Sequence, residues 1–220
     1  MPENDLQNPK RTIELDPDLI DAPARAPFVE LGILSCFSFL RGASDAVDLV
    51  LTARALGYDA IGIADANSMA GVVRVHTEAK TLKLKPLIGC RIETVEGLAF
   101  LAYPKTRAAY GRLCKLISAG RMSTLDGGWQ EKGECHISLA MLADHTDGVQ
   151  LILLPPADLA ARLTIEVASN VVALRDPAPQ QDEPTPFTAP FPDLLPHLTA
   201  RLPSLRHLAA SYLYTGDDIA

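Results

Sequence analysis

Apolar and polar positions alternate along this chain in short blocks that switch between the period of a strand and that of a helix. FVELGIL at 28–34 is a β-prone run, and a polar turn follows it. AVDLVLTARAL predicts a helix over about 45–56, with Ser44 placed to cap it and Gly57 to end it. AIGIA at 60–64 is a short buried strand, 69–81 a second helix, and KPLIGCRIE at 85–93 a third strand. This β-α-β-α-β order at crossover spacing predicts parallel strands. GLAFLAY at 97–103 adds a strand close enough to its predecessor to form a hairpin.

Helical patterns follow at 106–118 and 138–145, separated by a turn-rich excursion at 127–134. GVQLILLP is a strand, DLAARLTIEVA at 158–168 is predicted as a helix, and NVVALR at 170–175 as the next strand. Seven prolines between 176 and 196 predict a loop or linker, since proline removes a backbone donor and disrupts helices and central strands. The last pattern, Leu205, Leu208, Ala209 and Leu213, predicts a helix near 204–214 with one apolar stripe. The domain organisation expected is therefore a flexible N-terminal arm at 1–27, an α/β barrel core at 28–175, the Pro-rich loop at 176–196, and a C-terminal helix and turn at 197–220. A barrel ending on a helix with no strand to follow predicts an incomplete domain with an open sheet edge, and hence a fragment.

Composition narrows the class. The 220 residues are 48% hydrophobic and 21% charged, ordinary for a globular chain with a sizeable core. The polar, proline-bearing start has no apolar stretch of the kind a secretory signal needs. No apolar run reaches membrane-span length. Cys36, Cys90, Cys114 and Cys135 are widely spaced, which favours reduced thiols in a cytoplasmic protein. The net charge of −7 and the dispersed basic residues, with Lys80, Lys83 and Lys85 the clearest cluster, argue against strong DNA binding by this chain alone.

Strand C-termini are where α/β barrels build their sites. The first end offers Ser35, Cys36 and Ser38; the second offers Asp65, Asn67 and Ser68; the third offers Cys90, Arg91 and Glu93. One carboxylate and one thiol fall short of the three or four convergent donors of a metal centre. Asp65 has a plainer reading as a helix cap or hydrogen-bond acceptor. Glu30 reads as structural, and Arg41–Gly42 as a tight turn leading into Ser44. His76, His136, His145, His197 and His207 form neither HxH nor HExxH. Cys36 lacks a nearby histidine to activate it, and no phosphate-gripping glycine loop is present.

FVELGILSCFSFLRGAS, DAIGIADANSMAGVVRVHTEAK and KPLIGCRIE together resemble the polymerase-and-histidinol-phosphatase (PHP) domain, in the form found at the N-terminus of bacterial family C DNA polymerases, notably their error-prone branch. FSFLRGAS is the most specific phrase; GLAFLAYPKTRAAYGRLCKLISAGRM, KGECHISLAML and LRHLAASYLYTGDD extend the likeness over about 28–218. The resemblance implies an α/β fold, a distorted (β/α)7 barrel with a polynuclear metal centre. Active members carry His-x-His on the first strand, where this chain has Gly32 and Leu34. Their Asp-His or Asp-Glu is here Asp65-Ala66, and their acidic residue after Gly-Cys is here Arg91. A final Asp-x-His would follow residue 220.

Four ligand places thus carry residues that cannot bind metal, and Asp65 alone survives. The expectation is no metal, no cofactor and no catalytic residue, hence neither phosphoesterase nor polymerase activity. The palm carboxylates that add nucleotides in the family lie beyond this domain. The role implied is structural or partner-binding in replication and damage-induced translesion synthesis. The partners implied are the remainder of a family C polymerase or proteins of the mutagenesis complex. The alternatives are a metal-dependent phosphoesterase and a free-standing interaction module or gene remnant.

Overall fold

The computed structural model describes residues 28–167 and 185–209. The expected arm at 1–27, the strand at 170–175 and the end of the predicted terminal helix lie outside the described residues. The chain divides into two compact units, residues 1–63 with 70–87 and residues 64–69 with 88–220.

In the first unit, β1 (Val29–Ile33) runs parallel to β2 (Ala60–Ala66), with Val29 opposite Ala60 and Ile33 opposite Ile63. The register shifts between Glu30 and Ile33. Ile61 and Ile63 are fully buried, as a continuous apolar strand requires. Helices α1 (Ala46–Ala55) and α2 (Val72–Thr81) pack against each other. The α1 cap is Asp45 rather than the expected Ser44. Its carboxylate accepts from Val47 N at 2.9 Å and also pairs with Arg74 at 2.8 Å. A carboxylate at this position satisfies a free amide and suits the helix dipole.

The second unit is built on β3 (Lys85–Glu93, from Ile88 onward), β4 (Ala99–Pro104) and β5 (Val149–Leu154), paired antiparallel in that order. The predicted hairpin of β3 and β4 is present, with Cys90 opposite Ala102 and Glu93 opposite Ala99. Helix α3 (Arg107–Met122), capped by the Thr106 hydroxyl at Ala109 N, buries Ala109, Leu113, Leu116 and Ile117. Those side chains share one core with Phe100, Ile137, Leu139, Leu151, Phe191 and Leu198. The short α4 (Leu139–Ala143) is capped by Ser138.

Three expectations in this unit are corrected. The segment predicted as a helix at 158–168 contains β6 (Arg162–Val167) instead. Its Leu163, Ile165 and Val167 alternate with exposed Arg162, Thr164 and Glu166, which is the period of a strand with one covered face. The predicted loop at 176–196 contains β7 (Thr185–Pro190), antiparallel to β6, and the start of α5 (Phe191–Arg201). A two-stranded ribbon has an outer edge that needs no amide donor, so Pro186 and Pro190 are tolerated there. Pro192 falls in the first helical turn, where its missing N–H costs nothing. The described start of the predicted 204–214 helix is a strand, β8 (Leu205–Leu208), lying parallel to β5. β5 is thus paired along that edge, with Leu151 opposite Leu205 and Leu153 opposite Leu208.

Among the described residues no helix is long and apolar enough to cross a membrane.

A candidate metal centre and the residues that stand in it

In the first unit, the strand that would carry the first donors turns away from that task. Gly32 has φ of 81° and sits inside the register shift of β1. A histidine there would place a Cβ in the left-handed region, at a cost of roughly 1–2 kcal/mol. The backbone as well as the missing imidazole therefore disfavours a ligand at this place. Leu34 supplies no donor atom. The loop that follows is closed by its own backbone: Ser38 N donates to Ser35 O, Gly42 N to Ser38 O and Cys36 N to Ser44 O, each at 2.9 Å. Ser35 and Ser38 are buried and Cys36 is exposed. Arg74 lies over the Phe37 ring at 5.4 Å from its centroid. Among the first unit's described residues no basic group stands beside Cys36 in a hydrogen bond or ion pair that could make it a nucleophile.

In the second unit, Asp65 is 1% exposed and is not without an interaction. Ala66 beside it has no donor. Two residues on, Asn67 stitches the strand ends together. Its side-chain amide donates to Glu93 O at 3.2 Å, its carbonyl oxygen accepts from Glu93 N at 3.0 Å, and its own backbone N–H donates to Arg91 O at 2.8 Å. Arg121 from α3 donates to the Asn67 carbonyl through two nitrogens, at 3.2 and 2.9 Å. Asn67 holds φ of 43°, a conformation that asparagine tolerates better than most residues.

Arg91, in the third expected ligand place, pairs with Glu93 at 2.8 Å, each about a third exposed. The guanidinium thus brings a fixed positive charge and takes up the nearest carboxylate. Cys90, one residue before it, is fully buried. Burial, reinforced by the neighbouring Cys114, pushes its thiol far above the ordinary range, so it is an inert packing residue.

The histidines stay apart. His76 is exposed on α2; His136 is 3.9 Å from Glu134; His145 Nδ1 is 2.8 Å from Met141 O at the end of α4; His197 stacks on Phe187 at 4.7 Å. His207 lies on β8 opposite Ile152, not on a terminal helix. Among the described residues no three His, Cys, Asp or Glu side chains converge. A polynuclear centre needs several anionic or imidazole donors, and at the family's donor places this chain has only the Asp65 carboxylate beside Ala66, with Arg91 in another of those places. The residues present do not fit such a metal group.

Sequence reasoning missed two features. The Asn67–Glu93 clamp has a faint signal in the asparagine two residues after Asp65. The other is a cleft of about 570 Å³ lined by Glu96, Ser123, Leu125, Met141 and Glu166, which draws on segments distant in sequence.

Comparison with known proteins places this arrangement. The PHP domain matches residues 30–175. An error-prone DNA polymerase of Caulobacter vibrioides is 45% identical over 130 residues, covering 59% of this chain and 11% of the relative. One of Rhodopseudomonas palustris is 42% identical over 152 residues, covering 67% of this chain and 13% of the relative. The chain thus spans about an eighth or less of the length of these relatives. Among solved structures, one titled a putative metal-dependent phosphoesterase from Bifidobacterium adolescentis aligns with a TM-score of 0.47 at 16% identity, over 60% of this chain and 68% of that one. With the family matched across about two thirds of its length, this chain belongs to the PHP domain family.

Proposed function

We propose that this chain is a PHP domain without metal chemistry, serving as a structural or partner-binding part of an error-prone family C polymerase system in damage-induced synthesis. One observation carries the reading. At the places where an active member presents donors, the chain has Gly32 in a left-handed conformation, Leu34, Ala66 and an Arg91 paired with Glu93. A metal that cannot be held can neither generate hydroxide nor neutralise a phosphate. The names of the similar bacterial proteins support the polymerase context. The four cysteines, all free thiols, support a reducing compartment and hence the cytoplasm.

The test is turnover. Purified chain with manganese, zinc or magnesium is expected to hydrolyse p-nitrophenyl phosphate and 3′ DNA ends at background, and to extend no primer. Manganese-dependent hydrolysis that co-purifies with the chain through a second column would overturn the reading.

A further inference from the structure

We propose that the cleft bounded by α3, the 122–130 turn, α4 and the β6–β7 ribbon is a docking site for a polypeptide segment that carries an apolar anchor flanked by lysine or arginine. The inference deepens the partner-binding reading above and draws on residues other than the metal positions.

The turn after α3 is ordered by its own backbone. Ser123 and Trp129 form an antiparallel bridge, Thr124 N donates to Gly128 O at 2.9 Å, and Gln130 N donates to Met122 O at 3.2 Å. Residues directly opposite in such a pair project to the same face. Trp129 is therefore presented on the side of Ser123, which lines the cleft. The indole is 87% exposed, and Leu125 and Val95 in the cleft lining are about half exposed. Single exposed apolar side chains are ordinary, but Val95 and Leu125 lie half-exposed in one cleft lining that also contains Met141 and Ile165, and such a patch marks an interaction surface. Tryptophan on a fixed backbone is a favoured anchor at such surfaces.

Charge selects the partner. The cleft lining contains Glu96 and Glu166 and no lysine, arginine or histidine. One Glu96 oxygen accepts from Leu139 N at 2.8 Å; the other is buried and meets no donor among the described residues. That Glu96 oxygen is an acceptor, so the cleft lining offers a site for an N–H donor. Asp126 at the turn adds a further carboxylate. The Thr124 hydroxyl, with backbone amides, holds it below the usual carboxylate range. Such a lining repels phosphate and therefore disfavours nucleic acid. A second copy of this chain, with net charge −7, fits poorly for the same reason.

Trp129 is the sole tryptophan and reports directly on its own surroundings. The experiment titrates the full chain with dodecapeptides bearing one leucine or phenylalanine among lysines and arginines, following indole emission. Glutamate-flanked counterparts and a dT12 oligonucleotide serve as the other arms. Basic peptides are expected to give a saturable shift that weakens with salt. The pair Glu96→Gln and Glu166→Gln, which keeps the acceptor used by Leu139 N, is expected to weaken binding about tenfold. Leu125→Asp should weaken it by a similar factor, while Asp48→Asn with Asp59→Asn, the same charge change elsewhere, leaves it unmoved. No saturable response to any basic peptide overturns the proposal. So does equal loss in the control pair, equal binding of dT12 or acidic peptides, or a dimer in sedimentation that Leu125→Asp dissociates. Metal content and turnover test the domain's catalytic status through other residues, so the two readings can fail separately.

Discussion

A methyl group on Gly42 would lie 2.2 Å from the carbonyl oxygen of Ser35 and 2.8 Å from that of Leu34. Both are backbone atoms of a hydrogen-bonded loop, so neither can swing away as a side-chain tip does. Gly42→Ala is expected to lower stability by about 1–3 kcal/mol, read as a fall in the urea midpoint at constant slope. Asn67→Ala removes both side-chain bonds to the Glu93 backbone and is expected to cost a further about 1–3 kcal/mol on its own background. Cys90 gives a pH signature. Its folded thiol is raised by burial and then by Cys114, so its contribution is complete below the unfolded thiol's range near pH 8.5. Above that the unfolded chain loses a proton that the folded chain keeps. Stability should then decline with rising pH, by at most about 1.4 kcal/mol per unit from this group. Melting curves between pH 7 and 10 should show that decline, and Cys90→Ala should flatten it.

At the scale of elements, periodicity located β1 to β5 and the helices between them, because each carries its own apolar face and its own stop. It failed where the deciding partner is remote. Leu159, Leu163 and Val167 recur at helical spacing within 158–168, yet β6 forms because Thr185–Pro190 pairs with it residue by residue. The prolines of 184–196 argued for a loop because each forbids something in isolation. The placement of Pro186 and Pro190 on a ribbon edge and of Pro192 in the first turn of α5 became legible only with the pairing. Leu205 and Leu208 fit a helix stripe equally well, and the exposed edge of β5 decided for a strand. The site shows the same division. Missing donors at Gly32, Leu34, Ala66 and Arg91 can be read from residue identity, whereas the Asn67 clamp and the cleft depend on contacts across dozens of residues. If β6 is a strand with one covered face, Ile165→Ala should cost about 2–5 kcal/mol and Thr164→Ala about 0.5 or less, by urea denaturation.

At the scale of the whole molecule, a family fold is kept while, in the proposed reading, the chemistry usually built on it is absent. The two can separate because the core is carried by Phe100, Leu113, Leu116, Leu151 and their neighbours, none of which depends on a metal for packing. At the donor positions stand a left-handed Gly32 in β1 and an Arg91 paired with Glu93, and Asn67 clamps the adjoining strand ends. The matched stretch makes up 11% and 13% of the two error-prone polymerases compared. Elemental analysis of the purified chain, dialysed mildly and without chelator after exposure to zinc, manganese and iron, tests the central claim most directly. The account predicts far less than one equivalent of each metal per chain. One or more equivalents retained, and released when Asp65→Ala is introduced into protein that still melts cooperatively, would contradict it.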